Sequence, residues 1–282
     1  MNKILVCTNP IDEAERIVPY AIHMGKHFGF SLKFLHVIDT REYVWYSSYA
    51  DSHSFSEDPD HEALLEKERM TKQNKLQELI LKYGSLIGAQ PKIINEVRID
   101  MLEDALYENT REQNTSFLLI TDDNGKGNRA YNLLTAIESA HCPVWIVPPD
   151  GVYTQVKKIL FASDFKDYDQ QIIKNMTELA TSYKAEIVIS VINTSHNKIP
   201  ETPFFRKVIK ALQDKIDKVS EINNISHTYN EINELSMQIH ADLTVIHHKE
   251  GNMLREMAWA NAVEKVIKKN HPPLLIYKEF SN

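Results

Sequence analysis

The sequence predicts an α/β protein of two tandem domains, each a five-stranded parallel sheet with helices on both faces. Short, nearly all-apolar runs alternate with amphipathic helical stretches, which is typical of parallel strands covered on both sides. The pattern also occurs twice. KILVCT at 3–8 returns as KILFAS at 158–163, and LKFLHVI at 32–38 returns as IVISVIN at 187–193, at one common offset of 155 residues.

The first copy is predicted to contain five strands and four helices. Its strands are rich in Val, Ile, Leu and Phe, and its helices repeat apolar residues every three to four positions. The strands are predicted at 3–8, 31–38, 92–98, 116–121 and 143–147, and the helices at 12–28, 60–86, 101–113 and 129–140. The first copy carries additional residues between its second and fourth strands, because the later segments repeat at shorter offsets.

The second copy follows the same order of elements. Its strands are predicted at 157–162, 186–193, 226–231, 242–247 and 273–277, and its helices at 167–183, 201–222, 232–240 and 252–269. The joint PPDGVYTQ at 148–155 is short and rich in Pro and Gly. We therefore expect domains at 1–150 and 151–282.

Composition narrows the class of protein. The formal charge of −7 does not indicate the excess of basic residues that is typical of nucleic-acid-binding proteins. No apolar run approaches the roughly 20 residues that a spanning helix needs, so no membrane contact is expected. The two cysteines, Cys7 and Cys142, lie inside apolar runs, which favours reduced thiols over a disulfide. These features predict a cytoplasmic protein.

Several strings, taken in order, resemble those of tandem universal stress proteins. They are KILVCTNP at 3–10, FLHVID at 34–39 and HCPVWIVP at 141–148 in the first copy, and KILFASDF at 158–165, ISVIN at 189–193, ADLTVIH at 241–247 and the strand opened by Pro273 in the second. The resemblance implies a Rossmann-like fold of the adenine nucleotide α-hydrolase type. It also implies a role in the stress response, and pairing of the two last strands into an intramolecular pseudo-dimer.

Many members of that family bind ATP, and the resemblance implies where its contacts would lie. The family places an acidic residue after the first strand and a motif G-x-x-G-x9-G-[S/T] after the fourth. Glycines let backbone N–H groups approach phosphates, and the next helix adds its positive N-terminal dipole. In the second copy the acidic position is Asp164, and Val191 is matched to the residue whose backbone meets adenine.

The second copy has lost the phosphate motif. The three glycine positions and the Ser/Thr position, at the family's spacing, hold His247, Glu250, Ala260 and Asn261, with Gly251 nearby in the predicted cleft. Glu250 would set a carboxylate against phosphate, and such like charges repel by about 1–4 kcal/mol. We therefore expect this copy not to bind ATP in the family manner.

The first copy departs from the motif differently. Asn9 replaces the acidic residue, while Val37 keeps the position on the adenine side. Counting forward from the fourth strand places the last motif pair at Leu134 and Thr135, whereas counting back from Pro143 places it at Ala130 and Tyr131.

The segment that follows the fourth predicted strand, ITDDNGKGNRAYNLL at 120–134, leaves two interpretations open. Gly125 and Gly127 are out of register with the motif, so the loop can be an ordinary turn before a helix or a shortened phosphate loop. Asp122 and Asp123 disfavour phosphate, and Lys126 and Arg129 offset them.

Other segments offer weaker candidates. The aromatic stretch at 41–62 either packs on its own protein or contacts a partner. The spacing of His53, Asp58, Asp60 and His61 within it does not indicate a metal site. Ser163 lies at the carboxyl end of a strand, but no histidine can be assigned to it from the sequence.

The interpretation that follows is a stress-response protein that acts by protein contact and has lost family-type ATP binding. No catalytic residue, metal or cofactor is assigned. The partner is an unidentified protein, and a further homodimer is compatible with the pattern. The alternatives are a module that binds ATP or a small anion in one of the two clefts and, third, an enzyme acting on an adenine nucleotide.

Overall fold

The computed structural model describes residues 2–41, 59–88, 91–121, 129–148, 150–163, 170–191, 203–221, 229–249 and 272–279. Within it the chain divides into two compact units, Met1–Val144 and Trp145–Asn282. The division falls inside the fifth strand, and the expected domain boundary at 150/151 stays a prediction. The expected pairing of the last strands of the two copies stays a prediction.

The first unit is built on a parallel sheet in the order β3-β2-β1-β4-β5. Its elements are β1 (Lys3–Cys7), a 3-10 turn (Ile11–Glu13), α1 (Ala14–Phe28), β2 (Ser31–Asp39), α2 (Pro59–Ile87), β3 (Ile93–Asp100), α3 (Leu102–Thr110), β4 (Thr115–Thr121), α4 (Arg129–Ser139) and β5 (Val144–Val147), which spans the division between the units. Every residue of β1 is buried, as expected of a central strand covered on both faces.

The helix α1 shows how local chemistry sets an element boundary. It ends at Phe28, and Gly29 follows with a φ of +66°, a left-handed conformation that favours glycine. The Phe30 N–H then donates to the Gly25 carbonyl at 3.0 Å. This is a Schellman C-cap, which turns the chain back so that β2 can start at Ser31.

The second unit repeats the parallel sheet in the order β10-β9-β6-β7-β8. Its elements are β6 (Lys158–Ser163), α5 (Gln170–Tyr183), β7 (Glu186–Val191), α6 (Pro203–Gln213), β8 (Val219–Glu221), α7 (Tyr229–Gln238), β9 (Leu243–Lys249) and β10 (Leu274–Glu279). The two units therefore share one topology, and the predicted fold class is confirmed.

The prediction for the third strand of the second copy is wrong. The strand lies at Val219–Glu221, where Val219 pairs with Ile187, and not at 226–231, whose last residues begin α7. The charged and apolar spacing of 201–222 is typical of one long helix, but α6 ends at Gln213. Pairing with the edge of β7 outweighs the helical pattern in the next residues, because a strand gains its hydrogen bonds from a neighbour far away in sequence.

The helix expected at 252–269 lies outside the described residues. No helix in the described ranges is both long and apolar enough to cross a membrane.

Candidate functional site

Each sheet has one point where the strand order reverses. It lies between β1 and β4 in the first unit and between β6 and β9 in the second. Ligands of open α/β sheets bind outside the carboxyl ends of the strands at such points. The candidate sites are therefore the residues that follow β1, β4, β6 and β9.

In the first unit, the side chain of Asn9 is bonded to the backbone of Val37. Asn9 Nδ2 donates to the Val37 carbonyl at 2.6 Å, and the Val37 N–H donates to Asn9 Oδ1 at 2.8 Å. One carboxamide thus satisfies both the donor and the acceptor of a single backbone residue. An aspartate could accept from the N–H but would face the carbonyl with a second acceptor.

The end of β1 explains why Asn9 adopts this position. The Thr8 N–H still donates to the Leu35 carbonyl at 2.9 Å, so the ladder between β1 and β2 continues to that point. The next donor facing β2 would come from Pro10, which has no N–H. The Asn9 side chain therefore completes the ladder one step beyond the end of the strand.

A buried histidine lies directly beside this step. His36 Nδ1 is 3.0 Å from the Thr8 carbonyl, so Nδ1 carries the proton and donates. The pKa of His36 is lowered to about 4, mainly by burial and to a smaller extent by Lys72, although the Thr8 bond, Glu68 and Asp12 act to raise it. The imidazole is therefore neutral at pH 7.

Past the end of β2, Arg41 joins two carboxylates. Its guanidinium donates to Asp39 Oδ1 at 2.8 Å and to both oxygens of Glu103 at 2.7 Å. Burial raises the pKa of Asp39, but the bonds from Arg41 outweigh it and leave this pKa below its usual value. The cluster ties the end of β2 to the first turn of α3.

In the second unit, the structure supplies a histidine that the sequence could not assign. Ser163 Oγ lies 3.3 Å from His247 Nδ1, and Tyr277 is the register partner of His247 on β10. Burial raises the pKa of Tyr277, and the nearby Glu178 raises it further. These three residues, Ser163, His247 and Tyr277, lie in one row across neighbouring strands. Strand register alone brings them together, so no local sequence motif could have revealed the row.

Ser163 is 1% exposed, and His247 stands at the first glycine position of the phosphate motif. The side chains of Ser163 and His247 therefore lie across the reversal point of the second sheet. A glycine at position 247 would have left the backbone accessible.

The two residues matched to adenine, Val37 and Val191, are not equivalent in register. Val191 is the partner of Ser163, the last residue of β6. In the first unit Cys7 pairs with Leu35, so the equivalent of Val191 is His36. The true counterpart of Val37 is residue 192, which lies outside the described residues.

The start of α4 at Arg129 favours one of the two counts of the first-copy motif. Thr135 is buried in the second turn of α4, which begins at Arg129. A hydroxyl there is too far from the helix N-terminus to serve a phosphate. Counting back, which places the pair at Ala130 and Tyr131 in the first turn, agrees with the helix.

The remaining predicted positions lie outside the described residues. They are Gly125, Gly127, Lys126, Asp164, Glu250, Gly251, Ala260 and Asn261, together with most of the aromatic segment. Within the described ranges, no group of three metal-ligating side chains occurs.

Both thiols are expected to be unreactive in the native protein. Burial raises the pKa of Cys7 to about 11 and that of Cys142 to about 12. Because the thiolate is the reactive form, labelling by iodoacetamide at pH 8 should be negligible until the chain unfolds. Mass spectrometry of labelled protein, with and without guanidinium, measures this. Rapid native labelling of Cys7 would show that the end of β1 opens.

Comparison with known proteins gives one family match and several solved structures of similar fold. Residues 1–102 match the family described as the Universal stress protein family. The chain is similar to a universal stress protein from Archaeoglobus fulgidus, with 15% identity, a TM-score of 0.65, and coverage of 98% of this chain and 96% of that one.

The chain is also similar to a putative universal stress protein from Pseudomonas aeruginosa, with 15% identity, a TM-score of 0.54, and coverage of 99% and 93%. A functionally unknown protein from the same organism matches at 14% identity and a TM-score of 0.55, with coverage of 99% and 92%. No match was found among the curated proteins. At these identities the structures show a shared fold, and the family match supports a stress-response protein.

Proposed function

The first unit belongs to the universal stress protein family, and on that premise we propose a stress-response protein that acts by protein contact and no longer binds ATP in the family manner. We place it in the cytoplasm, in accord with two buried, unpaired thiols. We assign it no catalytic function, since Ser163, the nucleophile candidate beside His247, is almost fully buried.

One observation carries the proposal: the Asn9 carboxamide is hydrogen-bonded to both the N–H and the carbonyl of Val37. By resemblance, these are the groups that would meet adenine. The edge of adenine presents an N–H donor beside a ring-nitrogen acceptor. The Asn9 side chain presents the same pair, a donor to the Val37 carbonyl and an acceptor for its N–H, so it competes for the place of the base.

The phosphate side supports the same conclusion. In the second unit, His247 and Ser163 occupy the reversal point where the family motif begins with glycine. In the sequence, Glu250 adds a carboxylate near the expected phosphate position. Neither copy keeps the full motif, so neither unit offers the family's set of contacts to both the adenine base and the phosphates.

Calorimetric titration with ATP and Mg²⁺ tests the proposal directly. We expect no saturable heat beyond that of Mg²⁺ alone, and no nucleotide released from freshly purified protein on mass analysis. Saturable binding, or ATP carried through purification, would contradict it and show that the altered loops still hold the nucleotide.

A second candidate function is binding of a small anion by the first unit. The observation that favours it is the start of α4 at Arg129, directly after the glycine loop, with Ala130 and Tyr131 in the first turn. Titration with inorganic phosphate, in parallel with ATP, separates the candidates. Binding of phosphate without ATP would favour the small anion over both the nucleotide and the contact module.

A further inference from the structure

The outer edge of β3 is open in the described part of the chain. β3 is the last strand in the order of the first sheet, and it pairs with β2 along all eight of its residues. No strand among the described residues pairs with its other side. A long open edge presents unpaired N–H and C=O groups that a further strand can use.

The ladder identifies which residues point outward. The Leu32 N–H donates to the Lys92 carbonyl at 2.8 Å, so residue 92 faces β2. Backbone groups alternate sides along a strand, so residues 94, 96 and 98 also face β2. The N–H and C=O groups of Ile93, Asn95, Val97 and Ile99 therefore point toward the open side.

One flank of α2 lies beside this edge. Asn95 Nδ2 donates to Gln77 Oε1 at 2.9 Å, so the side of α2 that carries Gln77 faces β3. At about 100° per residue, Met70 and Leu81 lie within roughly 40° of Gln77 on that side. They are 56% and 60% exposed, and Ile94, on the opposite face of the strand, is 50% exposed. An added strand would thus meet apolar side chains on both faces.

The charges of β3 complement those of a second copy of β3 that runs antiparallel to it. If two copies pair antiparallel about Val97, Glu96 of each lies opposite Arg98 of the other, and residues 94–100 all find a partner. Centring on Asn95 would instead place Glu96 opposite Ile94. Opposite charges directly across a pair of strands are stabilising, and like charges are destabilising.

We propose that the open edge of β3 binds a second copy of this chain by antiparallel pairing about Val97. The inference rests on the contact role proposed above but not on the state of either nucleotide cleft. Within each copy, Arg98 pairs with Glu108 at 2.7 Å and with Glu96 at 3.2 Å, and Glu96 also pairs with Lys33 at 2.8 Å, which holds both charges at the edge.

The test is the oligomeric state of the full chain by sedimentation velocity over a range of concentrations. We expect a dimer in the micromolar range, with a dissociation constant raised roughly tenfold or more by Arg98→Glu, which sets like charges opposite each other twice. The double variant Glu96→Arg/Arg98→Glu should restore the dimer. Arg111→Glu, an identical charge change at an exposed residue of α3's end, should leave it unchanged.

Asn95→Pro supplies a second test, because it removes one outward N–H without altering the charges. It should weaken the dimer even if Arg98→Glu fails to fold, and circular dichroism monitors folding in each variant. A wild-type chain that stays monomeric up to about millimolar concentration, or a dimer insensitive to both Arg98→Glu and Asn95→Pro, would overturn the proposal. Neither result depends on ATP, so the calorimetric test stands separately.

Discussion

Replacing Asn9 with alanine is expected to lower the free energy of unfolding by about 1–3 kcal/mol. The variant leaves the Val37 N–H and carbonyl without the carboxamide that bonds both of them, and the Val37 residue is buried. Asn9→Asp should destabilise as well, since a carboxylate meets the Val37 carbonyl with a second acceptor. Chemical denaturation monitored by circular dichroism measures both effects.

The matched control is Asn95→Ala at low protein concentration. The Asn95 side chain donates one exposed hydrogen bond to Gln77, and its loss should cost within about 0.5 kcal/mol. Millimolar adenosine should recover part of the stability of Asn9→Ala and leave the wild type unchanged, because adenosine offers the same donor and acceptor without phosphates. An Asn9→Ala variant as stable as the wild type would show that the carboxamide is dispensable at this position.

Lowering the pH from 7 to 4 is expected to cost about 3 kcal/mol of folding stability through His36 alone. Burial lowers its pKa from 6.5 to about 4, so in this window the unfolded chain binds a proton that the folded chain does not. The stability is therefore fully present above pH 6.5, and it falls as the pH approaches 4. Denaturation curves at a series of pH values measure the slope.

His36→Asn should flatten that slope while keeping a donor near the Thr8 carbonyl, which His36 Nδ1 contacts at 3.0 Å. Any packing loss in the variant shifts stability equally at all pH values, so the slope isolates the titration. Equal slopes for wild type and His36→Asn would contradict the prediction.

Repetition in the sequence was sufficient to predict most of the architecture. β1, β2, β4 and the helices α1 and α2 lie within a few residues of their predicted bounds, because buried parallel strands and amphipathic helices each impose their own period on the chain. β8 was missed since its pattern is that of the helix before it, and only pairing with β7 makes it a strand.

The candidate site was only partly predictable. Asn9 and Val37 were identified from the resemblance, but their mutual hydrogen bonds could not be, because they join residues on two strands through a side chain. The same is true of Ser163 and His247, which are 84 residues apart and meet through the register of β6 and β9. The mismatch between Val191 and Val37 has a different origin, because the repeat offset of 155 residues already places Val191 opposite His36.

By itself, the sequence was sufficient to predict that two copies of one parallel α/β unit occur in this chain, and that neither copy keeps the glycines of the family's phosphate motif in register. Those properties are local, since they depend on composition and spacing along the chain. Only the tertiary structure showed that the Asn9 carboxamide bonds both backbone groups of Val37, that His247 lies beside Ser163, and that β3 ends the first sheet among the described residues. Those properties depend on strand order and register, which arise from pairing between residues far apart in sequence.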